Sequence, residues 1–369
     1  MTQPFAHLIG NEHIKSHLSH MLEKGSMGNS LLFAGMDGIG KSLFARILAE
    51  EIICQDDPDG SHRHKILHGN HPDIREFRPE GKTGMHSIST MRQFNEEVYQ
   101  APYEAKHKIF ILQNADRMLP YSANALLKTF EEPAPSSIII LISSAPETFL
   151  PTILSRCRIV HFSPVNSDLI ADLLQKQLGI SKAEADRSAI LSKGSISKAF
   201  ALAKQHHDPK QASLFALLCK GRCLSFQELS QASAEISEHI EKSKKESEEV
   251  LRQEFMKSFS QTQISATQKE SIEKEIEGAV SMRFFHDINN LLDDILSWYR
   301  DLHLIRINGR LDYIFNKFKL PEMQKAVQTG QDLPLEVVFK AAKEAKLSVE
   351  RSTSLSVALE GLFLKLNFL

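Results

Sequence analysis

The run Gly35-Met-Asp-Gly-Ile-Gly-Lys-Ser42 constrains this chain more than any other stretch. It follows NSLLFAG (29–35), an apolar run that reads as a buried strand. It opens IGKSLFARILAEEII, where Leu43, Phe44, Ile47 and Leu48 share one helical face. A GxxxxGK[ST] loop between a strand and a helix is a phosphate-binding loop. Gly35, Gly38 and Gly40 let successive N–H groups turn inward on a phosphate, and the helix N-terminus adds partial positive charge. Lys41 is then placed to reach the β- and γ-phosphates, and the Ser42 hydroxyl to ligate Mg²⁺. ATP or ADP with Mg²⁺ is the expected cofactor.

The rest of the first half supports an α/β module. KIFILQ (108–113), SSIIILISS (136–144) and RIVHF (158–162) read as further strands, and Pro120 to Glu132 as a helix stopping at Pro133. Continuous apolar strands separated by helices predict a parallel sheet covered on both faces. From about Ser167 onward the patterns are helical. LIADLLQKQLG ends at a C-cap glycine, Gly179, and Gly194 opens GSISKAFALAKQ. The stretch 230–278 is rich in Glu, Lys, Gln and Ser, which predicts a solvated helix or helical hairpin. Trp298-Tyr299-Arg300 lies in a strongly apolar helix and reads as packing. The expected division is an α/β nucleotide-binding domain over 1–165, a small helical lid over 166–208, and an all-α domain over 209–369.

A phosphate loop alone does not hydrolyse ATP. The second strand should end in an acidic pair, one carboxylate for the metal shell and one to polarise water. Here KIFIL runs into Gln113-Asn114-Ala-Asp116. Amides have no useful pKa near neutrality, and losing a positioned base costs about 10²–10⁴-fold in rate. Asp116 is the one nearby replacement, and it reads as a turn residue. No independent ATPase activity is expected.

Several pieces together resemble bacterial clamp-loader subunits of the AAA+ class. FAHLIGNEHIKSHL precedes the loop as in that family, GNHPDIREF (69–77) matches a segment after its zinc module, and KIFILQNADRM matches the strand that normally ends Asp-Glu-Ala-Asp. SANALLKTFEEP (122–133) is close to a characteristic helix of the family, and LPTILSRCRIVHF (150–162) contains its Ser-Arg-Cys motif. WYRDLHLI and SLSVALEGLFLKL resemble its helical collar. The resemblance implies an AAA+ parallel-sheet module, a helical lid and a C-terminal collar. It implies that Arg156 is an arginine finger aimed at ATP on a neighbouring subunit. It also implies a stator working beside gamma/tau ATPase and delta subunits, with the sliding clamp and primer-template DNA reached through the complex. Departures favour a stator over a motor. Gln113 and Asn114 replace the acid pair, Ser143-Ser144 stand at the γ-phosphate sensor, and Ser197 with Lys198 stand where motor subunits carry a second sensing arginine. The alternatives are a gamma/tau-type ATPase motor, favoured by the intact loop, and a phosphate-loop ATPase outside replication such as a branch-migration helicase.

The family often carries a four-cysteine zinc site after the loop helix. Only Cys54 remains in CQDDPDGSHRHKILHGNHPD, with His62 and His64 as weak replacements, so zinc is not expected. Cys219-Lys-Gly-Arg-Cys223 reads as a helix end and turn rather than a metal or redox pair. Lys plus Arg is 44 and Asp plus Glu 46, a net charge of −2, which excludes a general nucleic-acid coat. The start, MTQPFAHLIGNEHIK, does not read as a signal peptide, and no apolar run is long enough to span a bilayer. With four scattered cysteines, a cytoplasmic protein without membrane partners is expected.

Overall fold

A computed structural model of the chain describes residues 4–57, 60–119, 122, 126–204, 209–221, 224–258, 266–328 and 333–368. These form two compact units, one of residues 1–80 with 84–204, the other of 81–83 with 205–369.

The first unit is built on five parallel strands: β1 (Ser30–Ala34), β2 (Ile74–Phe77), β3 (Lys108–Leu112), β4 (Ser137–Ser143) and β5 (Arg158–His161). Their order across the sheet is β2-β3-β4-β1-β5. In register, Leu31 of β1 faces Ile140 of β4 on one side and Arg158 of β5 on the other. The continuous apolar runs arise because both faces are covered. Leu31, Phe33, Ile109, Ile111, Ile138 and Ile140 pack into one core with helices α1 (Glu12–Lys24) and α2 (Lys41–Ile53). Leu32, Ala34, Phe110, Leu112, Ile139 and Leu141 point the other way. They pack with Met91, Phe94 and Val98, which lie on the helix Ile88–Val98, and with Phe130. Each fully buried branched or aromatic side chain contributes about 1.5–3 kcal/mol.

In α2, Phe44, Ile47 and Leu48 are buried as expected, but Leu43 is 50% exposed; Ala45 and Ala49 complete the buried face instead. Strand β2 carries no continuous apolar run. It is an edge strand paired only with β3, and only Phe77 of its four residues is buried. The predicted helix Pro120–Glu132 is described over Leu127–Glu131; Pro120, Tyr121 and Ala123–Ala125 lie outside the described residues. Three helices, Ser167–Leu178, Lys182–Leu191 and Ile196–Lys204, share a small core of Ile170, Ala171, Leu174, Ala185, Ala189 and Ala199. Gly179 ends the first of them in the left-handed conformation, and Ser181 with Glu184 form a capping box on the second.

The second unit is helical among the described residues. Phe226–Ser258 and Ala266–Arg306 run antiparallel, with Ser243 bonded to Asp287 and Arg252 to Glu273. Polar residues dominate the far end of this pair. Its near end is apolar and joins Leu335–Glu350 and Leu355–Phe368 in a core centred on Trp298, Ile295, Leu302, Val338 and Leu362. Cys223 and 259–265, from the cysteine pair and the charged stretch, lie outside the described residues.

Candidate nucleotide site

The phosphate loop joins the C-terminal end of β1 to α2, with Gly40 as the helix N-cap residue. Two of its glycines are required by space as well as backbone angle. At Gly35, φ is +150° and an added Cβ would lie 2.7 Å from the Phe162 carbonyl oxygen. At Gly38, φ is +76° and a Cβ would lie 2.3 Å from Ser195 Oγ. The loop therefore touches the start of the Ile196–Lys204 helix, and the Ser197 N–H donates to the Gly38 carbonyl at 3.1 Å.

Lys41 is 5% exposed. Its ammonium donates to the carbonyls of Gly35 (2.5 Å) and Met36 (2.7 Å) and lies 3.7 Å from Asp37. Burial lowers its pKa, against the charges of Asp37 and Asp116, which raise it.

Ser42 Oγ donates to Gln113 Oε1 at 2.6 Å, so the amide stands where an acid-pair carboxylate would receive that hydroxyl. Gln113 Nε2 in turn donates to Glu76 Oε1 at 2.6 Å. Glu76 comes from β2, and the Arg46 guanidinium bonds both its oxygens at 3.0 Å while Arg78 bonds one at 3.1 Å. Burial alone would push the Glu76 carboxyl up, but Arg78, Arg46 and the Gln113 amide together hold it below its ordinary range. The Gln113 backbone is fixed as well: its N–H donates to Phe77, and His86 Nε2 donates to its carbonyl at 2.8 Å. Burial lowers the His86 pKa, which keeps the ring neutral. Glu76 is the functional-site residue that sequence reasoning missed. Only Phe77 of IREF is buried, so no apolar run marks the strand that carries Glu76.

Asn114 sits at φ 49°, ψ 50°, a left-handed conformation that Asn tolerates better than Glu. Asp116 Oδ1 accepts the Ser144 N–H at 3.3 Å. The Ser143 hydroxyl accepts the Ala145 N–H at 3.0 Å, so the serines of the sensor position shape the turn after β4. Lys198, beside Ser197, is buried.

Arg156 follows the short helix Pro151–Leu154. Its Nη1 donates to the Thr152 carbonyl and its Nη2 pairs with Glu131, both at 2.9 Å. Cys157 beside it is buried, which pushes its thiol pKa up to about 12.

Among the described residues, Cys54, His62 and His64 form no common ligand group. Cys54 is half-buried with its thiol pushed up by burial, and the His64 ring lies 4.4 Å from the His68 ring, tilted by 37°. His62 instead meets His71 and Glu104, whose ligand atoms lie within 4.8 Å of one another. The Asp73 N–H donates to His71 Nδ1 at 3.1 Å, which puts the ring proton on Nε2, and that nitrogen lies 2.8 Å from His62 Nδ1. Glu104 is paired with Lys65. Of these three, His62 and His71 are hydrogen-bonded to each other.

A five-stranded parallel sheet in this order, with a phosphate loop after its β1 strand and a small helical subdomain against the loop, defines a P-loop module of the AAA+ class. Residues 10–166 match the family model described as DNA polymerase III, delta subunit. It is 33% identical over 165 residues to DNA polymerase III subunit delta' of Bacillus subtilis, covering 43% of this chain and 50% of that one. It is 31% identical over 212 residues to subunit gamma/tau of Mycoplasma genitalium, covering 54% of this chain and 35% of that one. The chain thus spans half or less of the length of these relatives. Among solved structures it is similar to a DNA polymerase III gamma subunit-related protein of Thermotoga maritima. That match has a TM-score of 0.38 and 17% identity, covering 91% of this chain and 98% of that one. The RuvB branch-migration motor of the same organism is similar over 57% of this chain and 64% of its own, with TM-score 0.39 and 16% identity. No described helix is long and apolar enough to cross a membrane.

Proposed function

We propose that the chain is a delta-prime-type stator of a clamp loader, binding nucleotide at its own loop without turning it over and donating Arg156 to ATP on a neighbouring ATPase subunit. The observation that carries this reading is Gln113. A neutral amide fills the place of the acid pair and is anchored on both sides, to Ser42 and to Glu76. No base is offered to an attacking water from that position. The three-domain division, with lid 166–208 and collar 209–369, belongs to the same reading.

Arg156 suits the trans role. It is 36% exposed and its partner Glu131 is on the surface too, so the guanidinium can exchange a carboxylate for phosphate oxygens. A trans arginine finger is worth about 10³–10⁵ in rate. The proposed partners are gamma/tau and delta subunits, with the sliding clamp and primer-template DNA engaged through the assembled ring.

The gamma/tau-type motor is the second reading. The intact loop favours it, as does Asp116, whose charge acts on Lys41. ATP hydrolysis by the purified chain, alone and with a gamma/tau partner, separates the two. The stator reading expects no turnover alone, and partner turnover that collapses with Arg156→Ala and survives Lys41→Ala. Lys41-dependent turnover by the isolated chain would establish the motor instead.

A further inference from the structure

We infer that this loop holds a nucleoside polyphosphate with no contribution from a divalent cation, so that Mg²⁺ leaves its nucleotide affinity unchanged. The inference rests on the nucleotide-binding reading above and adds the metal dependence of that site.

Mg²⁺ is a hard ion that dehydrates reluctantly, and P-loop proteins hold it with the loop hydroxyl and an anionic oxygen beside it. The hydroxyl is present and correctly turned: Ser42 donates its proton at 2.6 Å and keeps its lone pairs for the loop. The anionic oxygen is missing. Gln113 offers a neutral one, and its orientation is not free. Rotating the amide would set Oε1 against the Glu76 carboxylate, where Nε2 now donates at 2.6 Å. The nearest acidic charge behind it, Glu76, is offset by Arg46 and Arg78. Asp116 is engaged elsewhere, accepting from the Ser144 N–H and acting on Lys41. The residues present therefore do not fit a resident Mg²⁺. They do fit a phosphate, through Lys41 and the N–H groups at the start of α2.

The polarity of the Gln113–Glu76 pair gives the test. Exchanging the two, Glu76→Gln with Gln113→Glu, keeps the net charge and reverses the hydrogen bond, moving the carboxylate next to Ser42. Fluorescent ADP is titrated into the full-length protein in EDTA and in saturating Mg²⁺. The wild-type dissociation constants are expected to differ by less than about threefold, below the roughly tenfold to hundredfold that a metal-shell residue ordinarily controls. The exchanged variant is expected to bind at least about tenfold tighter with Mg²⁺. Wild-type binding that tightens about tenfold or more in Mg²⁺ overturns the inference while leaving nucleotide binding intact. A folded exchanged variant indifferent to Mg²⁺ overturns the assignment to Gln113. Absence of binding in both conditions overturns the nucleotide-binding reading itself. If circular dichroism shows that the exchanged variant is unfolded, the wild-type comparison still decides.

Discussion

Replacing Glu76 by Gln keeps the side chain's shape and removes its charge, which makes it the cleanest perturbation of the site. Three groups lose a charged partner: Arg46, Arg78 and the Gln113 amide. Both arginines are about half exposed, so each pair is worth well under about 1 kcal/mol. The amide bond is shielded and charge-assisted, and such bonds are about twice as strong as neutral ones, so about 1 kcal/mol is lost there. The expected destabilisation of the β2–β3 edge is about 2 kcal/mol, or about a thirtyfold faster opening of the Ile74–Phe77 strand. Hydrogen exchange followed by mass spectrometry reads it as a lowered protection factor for that strand. The pH dependence has a definite sign. The folded carboxyl is held below its ordinary value of 4.5. Its stabilisation is thus fully present above about pH 4.5 and is lost as pH falls through the folded pKa. The difference between wild type and variant must shrink in acid. Equal protection at neutral pH, or a difference that persists undiminished at about pH 3, would refute the network as described.

Asp73→Asn should destabilise the first unit by about 2 kcal/mol, because this buried carboxylate accepts the N–H groups of Tyr103, Glu104 and Ala105 at 2.6–2.9 Å. Urea midpoints measure the loss; burial opposes but those three donors hold the carboxyl low, so the wild-type advantage should fade only in acid. Gly38→Ala puts a Cβ 2.3 Å from Ser195 Oγ at φ +76°, and should cost about 1–3 kcal/mol, read as a lower melting temperature. Cys157, with its thiol pushed up to about 12, should resist maleimide at pH 8 in the native protein, while half-buried Cys54 and Cys219 label first. Early labelling of Cys157 would mean the Ser-Arg-Cys turn opens in solution.

The parts of this fold that were legible in the sequence are those where one physical demand dominates. β1, β3 and β4 are buried on both faces, so nothing but apolar side chains fits, and the runs stand out. The phosphate loop was legible because Gly35 and Gly38 occupy positions where a Cβ would collide with neighbouring atoms. β2 was not legible. It pairs on one side only, its residues answer to solvent as well as core, and Glu76 therefore passed as an unremarked charge in GNHPDIREF. Leu43 was placed on the wrong face because periodicity alone does not fix where a helical stripe begins. Pairings between distant segments left no trace either. Nothing in the spacing joins Arg156 to Glu131 or His62 to His71, since those contacts depend on how the connecting turns fold.

The neutral residues after β3 are best understood as part of the packing and not as isolated losses. A carboxylate at 113 would face Glu76 across the 2.6 Å gap that the Gln113 amide now bridges, with like charges opposed. A Glu at 114 would occupy a left-handed backbone position, at a cost of roughly 1–2 kcal/mol for a residue with an ordinary Cβ. Each reversion alone meets a penalty set by a neighbour, and rebuilding an acid pair requires positions 76, 113 and 114 to change together. Arg156 is under no such constraint. Its partners, the Thr152 carbonyl, the Ser155 hydroxyl and Glu131, are ones a guanidinium can exchange for phosphate oxygens. The route to an acid pair is thus opposed by packing at positions 76 and 114, whereas nothing in the packing opposes a change of partner at Arg156. That asymmetry is what supports the proposed stator over the motor reading.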